Sequence, residues 1–209
     1  ARLGTSPDKP NKPTILEIFK KKYPKMEIVH RLDKETSGVM LLAKNKKAHE
    51  FLKSQFMNRT VKKIYRAIVS GFVKNDHGIV NKPIGRSPKD FRRHLAGRGA
   101  RGEMREAETS YKVLKRFVDR KEKFTYLEVK PKTGRTHQIR VHMKFLNHPV
   151  VGDTLYNPAG PLPNLPLVKG EEKGGGRMFL HAKSIEFKNL RGKIIKVESP
   201  LPKEFGRLA

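Results

Sequence analysis

The chain predicts an α+β fold in which strands outnumber helices. Three observations carry that expectation. Runs rich in β-branched and aromatic residues (Ile64 to Val69, 124–130, Ile194 to Val197) outnumber segments of helical period. Strands and helices do not alternate regularly, as a parallel βα architecture would require, and no internal repeat is present. With 209 residues the chain can bury a real core, and residues 1–209 read as a single domain.

The elements follow in order. Pro7 to Pro13 is a Pro/Lys-rich loop. Thr14-Ile15-Leu16-Glu17 fits a capping box, Thr14 as N-cap and Glu17 reaching back. Leu16, Phe19 and Tyr23 then share a helical face, and Pro24 stops the helix. Val39 to Ala43 reads as a buried strand. Ala48, Phe51, Leu52 and Phe56 recur at i, i+3, i+4 and i+8, an amphipathic helix. Ile64 to Val69 is a strand ended by Gly71. Residues 72–107 are polar, Gly-rich and dense in arginine (Arg86, Arg92, Arg93, Arg98, Arg101, Arg105), either a long hairpin or a partly disordered loop. Residues 108–117 and 124–130 are two strands joined by the charged turn Asp119-Arg120-Lys121-Glu122. Ile139, Met143 and Leu146 mark a short helix, 157–177 a Pro/Gly-rich loop, and Ile185 to Phe187 with Ile194 to Val197 two closing strands.

Charge narrows the partner. Lys plus Arg total 47 against 20 Asp plus Glu, a formal net charge of +27. That excess goes beyond what solubility needs and points to a polyanion, nucleic acid first. On that reading the arginine-rich 72–107 segment contacts RNA. The absence of cysteine removes a disulfide framework and thiolate metal ligation. No window approaches the roughly 18 apolar residues of a membrane span, so no membrane partner is expected. The chain opens Ala-Arg-Leu-Gly, without Met or an apolar signal segment, which points to a cytoplasmic or organellar protein and to a fragment or processed form.

Three clusters carry chemistry. In His30-Arg31-Leu32-Asp33-Lys34-Glu35-Thr36-Ser37-Gly38 an acid sits beside an arginine in a loop that feeds an apolar strand. A loop held on a rigid scaffold is where functional side chains concentrate, although a lone loop Asp is more often turn chemistry. Tyr65 lies in the strand run Lys63 to Gly71, and by itself reads as a strand aromatic. The third cluster is Lys132-Thr133-Gly134-Arg135-Thr136-His137-Gln138-Ile139-Arg140-Val141-His142. It turns at Gly134 and enters a helix with Thr136 as N-cap, and its arginines supply guanidinium forks for phosphate or carboxylate. His137 and His142 are five apart, on different helix faces, which argues against a shared metal; no metal is expected.

Together these clusters, with Gly152-Asp153-Thr154-Leu155-Tyr156 and Leu180-His181-Ala182, resemble the RluA-type RNA pseudouridine synthases. The resemblance runs from about Thr14 to Pro202, in the same order. It implies a bent, mixed and largely antiparallel sheet with flanking helices around a central cleft. It implies isomerisation of uridine in RNA, ribosomal RNA ahead of transfer RNA, without a cofactor; a monomer is expected. Residue by residue, Asp33 falls on the essential aspartate, Tyr65 on the tyrosine that meets the uracil, and Arg140 on the arginine that pairs with the aspartate. Arg31 falls on the arginine that enters the RNA stack when the base leaves it. His30, Thr36, Lys132, Arg135, His137 and Gln138 are expected to contact RNA. A catalytically silent RNA-binding or ribosome-assembly protein on the same fold is the alternative. The family normally begins with a strand carrying Lys-Pro-x-Gly, often after an S4 domain; this chain reads as starting past it, at Arg2-Leu3-Gly4-Thr5, which would leave a sheet edge open.

Overall fold

The computed structural model of the protein describes residues 13–160 and 177–208. Expectations that fall on residues 1–12 (most of the Pro/Lys-rich loop and the question of a first strand) and on 161–176 lie outside the described residues.

The elements are α1 (Ile15–Lys20), β1 (Glu27–Ile28), β2 (Ser37–Gly38), β3 (Leu42–Ala43), α2 (Lys46–Met57), β4 (Lys62–Ser70), β5 (His77–Asn81), β6 (Ile84–Arg86), β7 (His94–Ala96), β8 (Arg101–Arg105), β9 (Glu108–Asp119), β10 (Glu122–Pro131), α3 (Gln138–Phe145), β11 (Leu180–Lys188), β12 (Ile194–Glu198) and α4 (Lys203–Leu208). One large sheet runs β12-β11-β4-β10-β9-β5, with β2 pairing to β11. That β2–β11 pair is parallel and every other pair is antiparallel, so the sheet is mixed and largely antiparallel, within the α+β class the sequence predicts. Register shifts at Tyr126/Leu127 and Ala182/Ser184 interrupt the ladders, and such bulges bend a sheet.

Both faces of the central strands are covered. In β4, Ala67 and Val69 enter one apolar cluster with Leu127, Val129, Ile139 and Met143, while Ile68 enters another with Phe124, Tyr126, Phe179 and Phe205. Successive side chains of a strand point to opposite faces, so a continuous apolar run is what a doubly covered strand requires. Helix α3 covers the first face and the Phe205 end of α4 the second. Among the described residues no helix is long and apolar enough to cross a membrane.

The capping box at Thr14 and Glu17 forms. The hairpin β9–β10 turns through Arg120 and Lys121, both at positive φ, the two-residue geometry that matches strand twist. Residues 72–107 resolve the hairpin-or-loop question in favour of strands: β5 joins the large sheet, and β7-β6-β8 form a small sheet of their own.

Three local expectations are corrected. Helix α1 ends at Lys20, so Tyr23 lies beyond it. Val39 to Ala43 is not one buried strand. The chain pairs with β11 through Ser37 and Gly38, then leaves it and pairs with β1 through Leu42 and Ala43, and of residues 39–43 only Ala43 is buried. Gly38 makes the first contact possible, because at φ 114° a Cβ there would meet the Ala182 backbone. The N-cap of α3 is His137, not Thr136, and it sits in the left-handed region at φ 55° with no side-chain cap.

Candidate active site

A cleft of about 600 Å³ opens where the loop before β2 faces the loop that leads into α3. All the site residues that the sequence singled out line it: His30, Arg31, Asp33, Thr36, Tyr65, Lys132, Arg135, His137, Gln138 and Arg140. Lys53, Arg59 and Lys63 add to the same wall. Asp33 is the one acid among these described lining residues, a single carboxylate in a cationic rim.

The Asp33 loop is held at both ends. Thr36 N–H donates to the Asp33 carbonyl (3.0 Å), and Leu32 and Thr36 are buried on either side. Ser37 Oγ meets His181 Nδ1 at 2.8 Å and accepts from Arg177 Nη2 at 2.6 Å, which pins the loop exit to β11. Upstream, His30 stacks on Phe56 with ring centroids 4.8 Å apart, and its Nε2 accepts from the Leu41 N–H at 2.9 Å. Burial, with the Lys63 charge beside it, lowers the His30 pKa to about 4, so the imidazole is neutral at pH 7.

Helix α3 brings the counter-charge. Arg140 Nη1 donates to Asp33 Oδ2 at 3.1 Å. Its other edge is taken by Asp153, Nε to Oδ2 at 2.7 Å and Nη2 to Oδ1 at 2.8 Å, and Asp153 is fully buried. Burial alone would lower the Arg140 pKa; the hydrogen bonds and charges of Asp153 and Asp33 outweigh it and raise it instead. The Tyr156 ring closes over the guanidinium, 5.1 Å from Cζ to centroid. Its hydroxyl accepts from the His94 N–H (2.9 Å) and meets His137 Nδ1 (3.0 Å). Burial pushes the Tyr156 hydroxyl up to about 12 and lowers His137 below its ordinary value.

Strand β4 supplies the floor. Residues two apart on a strand share a face, and Lys63 and Tyr65 both line the cleft. Lys63 Nζ donates to the Thr133 carbonyl (3.0 Å), tying β4 to the loop before α3, and burial lowers its pKa to about 8. Burial, and then the Asp33 charge, raise the Tyr65 hydroxyl above its ordinary value, so it stays a phenol.

Gln138 lines the cleft, yet its side chain is bonded within the loop. Its Oε1 accepts from Thr133 Oγ1 and the Arg135 N–H, and its Nε2 donates to the Glu108 carbonyl and Thr109 Oγ1. Those four bonds tie the loop to β9 and occupy the whole side-chain amide. His142 continues that chain: Nδ1 accepts from Thr109 Oγ1 and Nε2 donates to the Lys82 carbonyl. It is buried, while His137 bonds to Tyr156, so the two histidines have different partners. Lys132 pairs with Glu108 (3.2 Å), and Arg135 Nε donates to the Glu106 carbonyl (2.8 Å).

Sequence reasoning gave no role to Asp153, Tyr156 or Lys63. The signal for the first two was the Gly152-Asp153-Thr154-Leu155-Tyr156 pattern; for Lys63 it was its place two residues before Tyr65.

A family model described as RNA pseudouridylate synthase matches residues 5–145. The chain is 42% identical over 188 residues to a ribosomal large subunit pseudouridine synthase D of Neisseria meningitidis, covering 88% of this chain and 48% of that protein. It is 40% identical over 182 residues to an uncharacterized RNA pseudouridine synthase of Bacillus subtilis, covering 87% and 54%. Among solved structures, human RNA pseudouridylate synthase domain containing 1 matches with a TM-score of 0.74 at 30% identity, over 90% of this chain and 74% of that one. The chain spans about half the length of the curated relatives it matches.

Proposed function

The chain belongs to the RNA pseudouridylate synthase family, and from that premise we propose that it isomerises specific uridines of RNA to pseudouridine, ribosomal RNA ahead of transfer RNA. The observation that carries this reading is the lone cleft carboxylate of Asp33 at 3.1 Å from the Arg140 guanidinium, with Tyr65 on the same wall. Residues 1–209 act as one catalytic unit, a cytoplasmic monomer in this reading.

The reaction breaks the N1–C1′ bond, turns the uracil, and joins C5 to C1′. N1 gains a proton and C5 gives one up, so no atom is gained and no cofactor is required. Asp33 acts ionised, as nucleophile or as base. Tyr65 packs on the uracil and, kept protonated, takes part in moving the proton between C5 and N1. The target base must leave its stack, at a cost of a few kcal/mol. Arg31, exposed at the rim, fills the gap by stacking its guanidinium plane. His30 and Thr36 shape the Asp33 loop, and Lys132, Arg135 and His137 meet the RNA backbone along the facing wall.

The test is to incubate the protein and its Asp33→Asn variant with unmodified ribosomal and transfer RNA and to map pseudouridine at nucleotide resolution. New sites with the parent and none with the variant are expected, and they name the substrate. Tight, salt-sensitive RNA binding with no new site in either RNA would replace this reading with the silent RNA-binding alternative.

A further inference from the structure

Arg140 carries one positive charge and faces two carboxylates, and it does not divide itself evenly between them. Asp153 takes the Nε and Nη2 edge at 2.7 and 2.8 Å in a bidentate pair and is fully buried. Asp33 receives a single bond at 3.1 Å from Nη1, at the partly open side. The bidentate fork is the stronger and more directional arrangement. The charge of Arg140 is therefore largely answered by Asp153 before Asp33 is reached.

Asp153 is itself fixed. Its Oδ1 also accepts from the Leu155 and Tyr156 N–H groups, both at 3.0 Å, so the carboxylate closes the 153–156 turn and lays the Tyr156 ring over the guanidinium. The Tyr156 hydroxyl is tied in turn to His94 and His137. The guanidinium is thus clamped on its edge by Asp153 and on its face by Tyr156. Of the three N–H groups that remain, one, on Nη1, donates to Asp33.

We propose that Asp153 is a positioning residue for the reaction: it holds Arg140 edge-on and takes up its charge, so that Asp33 is oriented by one hydrogen bond rather than locked in a bidentate ion pair. This rests on the pseudouridine synthase reading. Without the Asp153 charge, Arg140 turns its fork toward Asp33, and that carboxylate is drawn to the wall and away from the sugar and base. A displacement of about 1 Å at a reacting group can cost about 100-fold in rate.

Asp153→Asn separates this role from a structural one. The amide oxygen can still accept from Leu155, Tyr156 and Arg140 Nη2, so the turn is preserved. The amide nitrogen now faces Arg140 Nε, donor against donor. We expect kcat on RNA to fall about 100-fold with the RNA dissociation constant within about three-fold, since Asp153 meets no substrate. Asp153→Glu restores the charge at the cost of an extra methylene in a fully buried site. A positioning role predicts that Glu turns over faster than Asn, although Asn fits better; a merely structural role predicts the reverse order. Parent-like kcat in Asp153→Asn, or Asn faster than Glu, would overturn the proposal. If Asp153→Asn does not fold, guanidinium NMR of the parent decides: resolved, slowly rotating Nη signals for Arg140 are expected, and averaged signals would overturn it. A parent chain that forms no pseudouridine overturns the functional reading and this inference with it, whereas an active parent with an unimpaired Asp153→Asn overturns this inference alone.

Discussion

Two arginine-bearing regions of this molecule do opposite things with the same side chain. In the cleft, Arg140 is buried and held by two carboxylates and an aromatic ring. On the small β7-β6-β8 sheet Arg105 bonds to Glu103, and in the turn between β6 and β7 Arg92 bonds to Asp90, with most of each arginine in water. Burial removes the solvent that screens charge, so the first arrangement is strong, directional and costly to disturb. The second is weak, screened and easily exchanged for a phosphate. Catalysis needs the former, because geometry must be set before substrate arrives. Grip on a polyanion needs the latter, because every contact displaces counterions and none need be unique. The two regions meet where the His94 N–H of β7 bonds to the Tyr156 hydroxyl and where Ile84 and Ala96 pack with Val141 and Tyr156.

The contrast can be broken at several points. The largest effect is expected in the cleft: Asp33→Asn should lower turnover by about 1,000-fold or more, with RNA affinity within about three-fold, in single-turnover assays alongside binding isotherms. Substantial residual turnover would remove Asp33 from the chemistry. Next comes the surface. Raising salt from about 50 to about 200 mM should weaken RNA binding about 1,000-fold if at least about six phosphates are met. A flat response would mean that the basic face does not hold RNA.

Stability sharpens the same distinction. Arg140→Met strands Asp153 in the interior and should cost about 3–5 kcal/mol in urea unfolding. Arg105→Gln on the small sheet should move the melting temperature by less than about 2 °C. Comparable losses at the two positions would erase the comparison. An intermediate effect is expected at His30. Its folded pKa of about 4 lies below the 6.5 of the free side chain, so between those values the unfolded chain binds a proton that the folded one refuses. Stability should therefore fall as pH drops from 6.5 toward about 4 and level off below, by about 3 kcal/mol for this one group. In His30→Gln that part of the acid sensitivity should vanish, measured as the difference between the two proteins' unfolding free energies across the range.

Legibility in the sequence differed by element. The β9–β10 hairpin, helix α2 and the capping box at Thr14 were readable because their causes are local: alternation, 3.6-residue spacing and a cap with its reciprocal acid. The segment after Ser37 was misread because Val39 to Ala43 is apolar enough for one strand, yet its two ends pair with different partners, β11 and β1. The start of α3 was misread for a related reason. Thr136 is a good N-cap by type, but the chain enters the helix through a left-handed His137, and no side chain caps it. Among site residues, Asp33, Tyr65 and Arg140 stood out through motifs. Asp153 and Tyr156 gained a role only from what they touch.

The sequence by itself determined the strand-rich α+β class, the large positive charge and the short segments that line the cleft. All three depend on composition and on neighbours a few residues apart. Which carboxylate receives which edge of Arg140 was decided by the tertiary structure. Asp33 and Asp153 are equal as residue types, and what separates them is burial: the fold seals Asp153 against the guanidinium fork and leaves Asp33 one bond at the mouth of the cleft. A buried charge must be fully paired and an accessible one need not be, and accessibility is a property of the folded chain, not of any stretch of it.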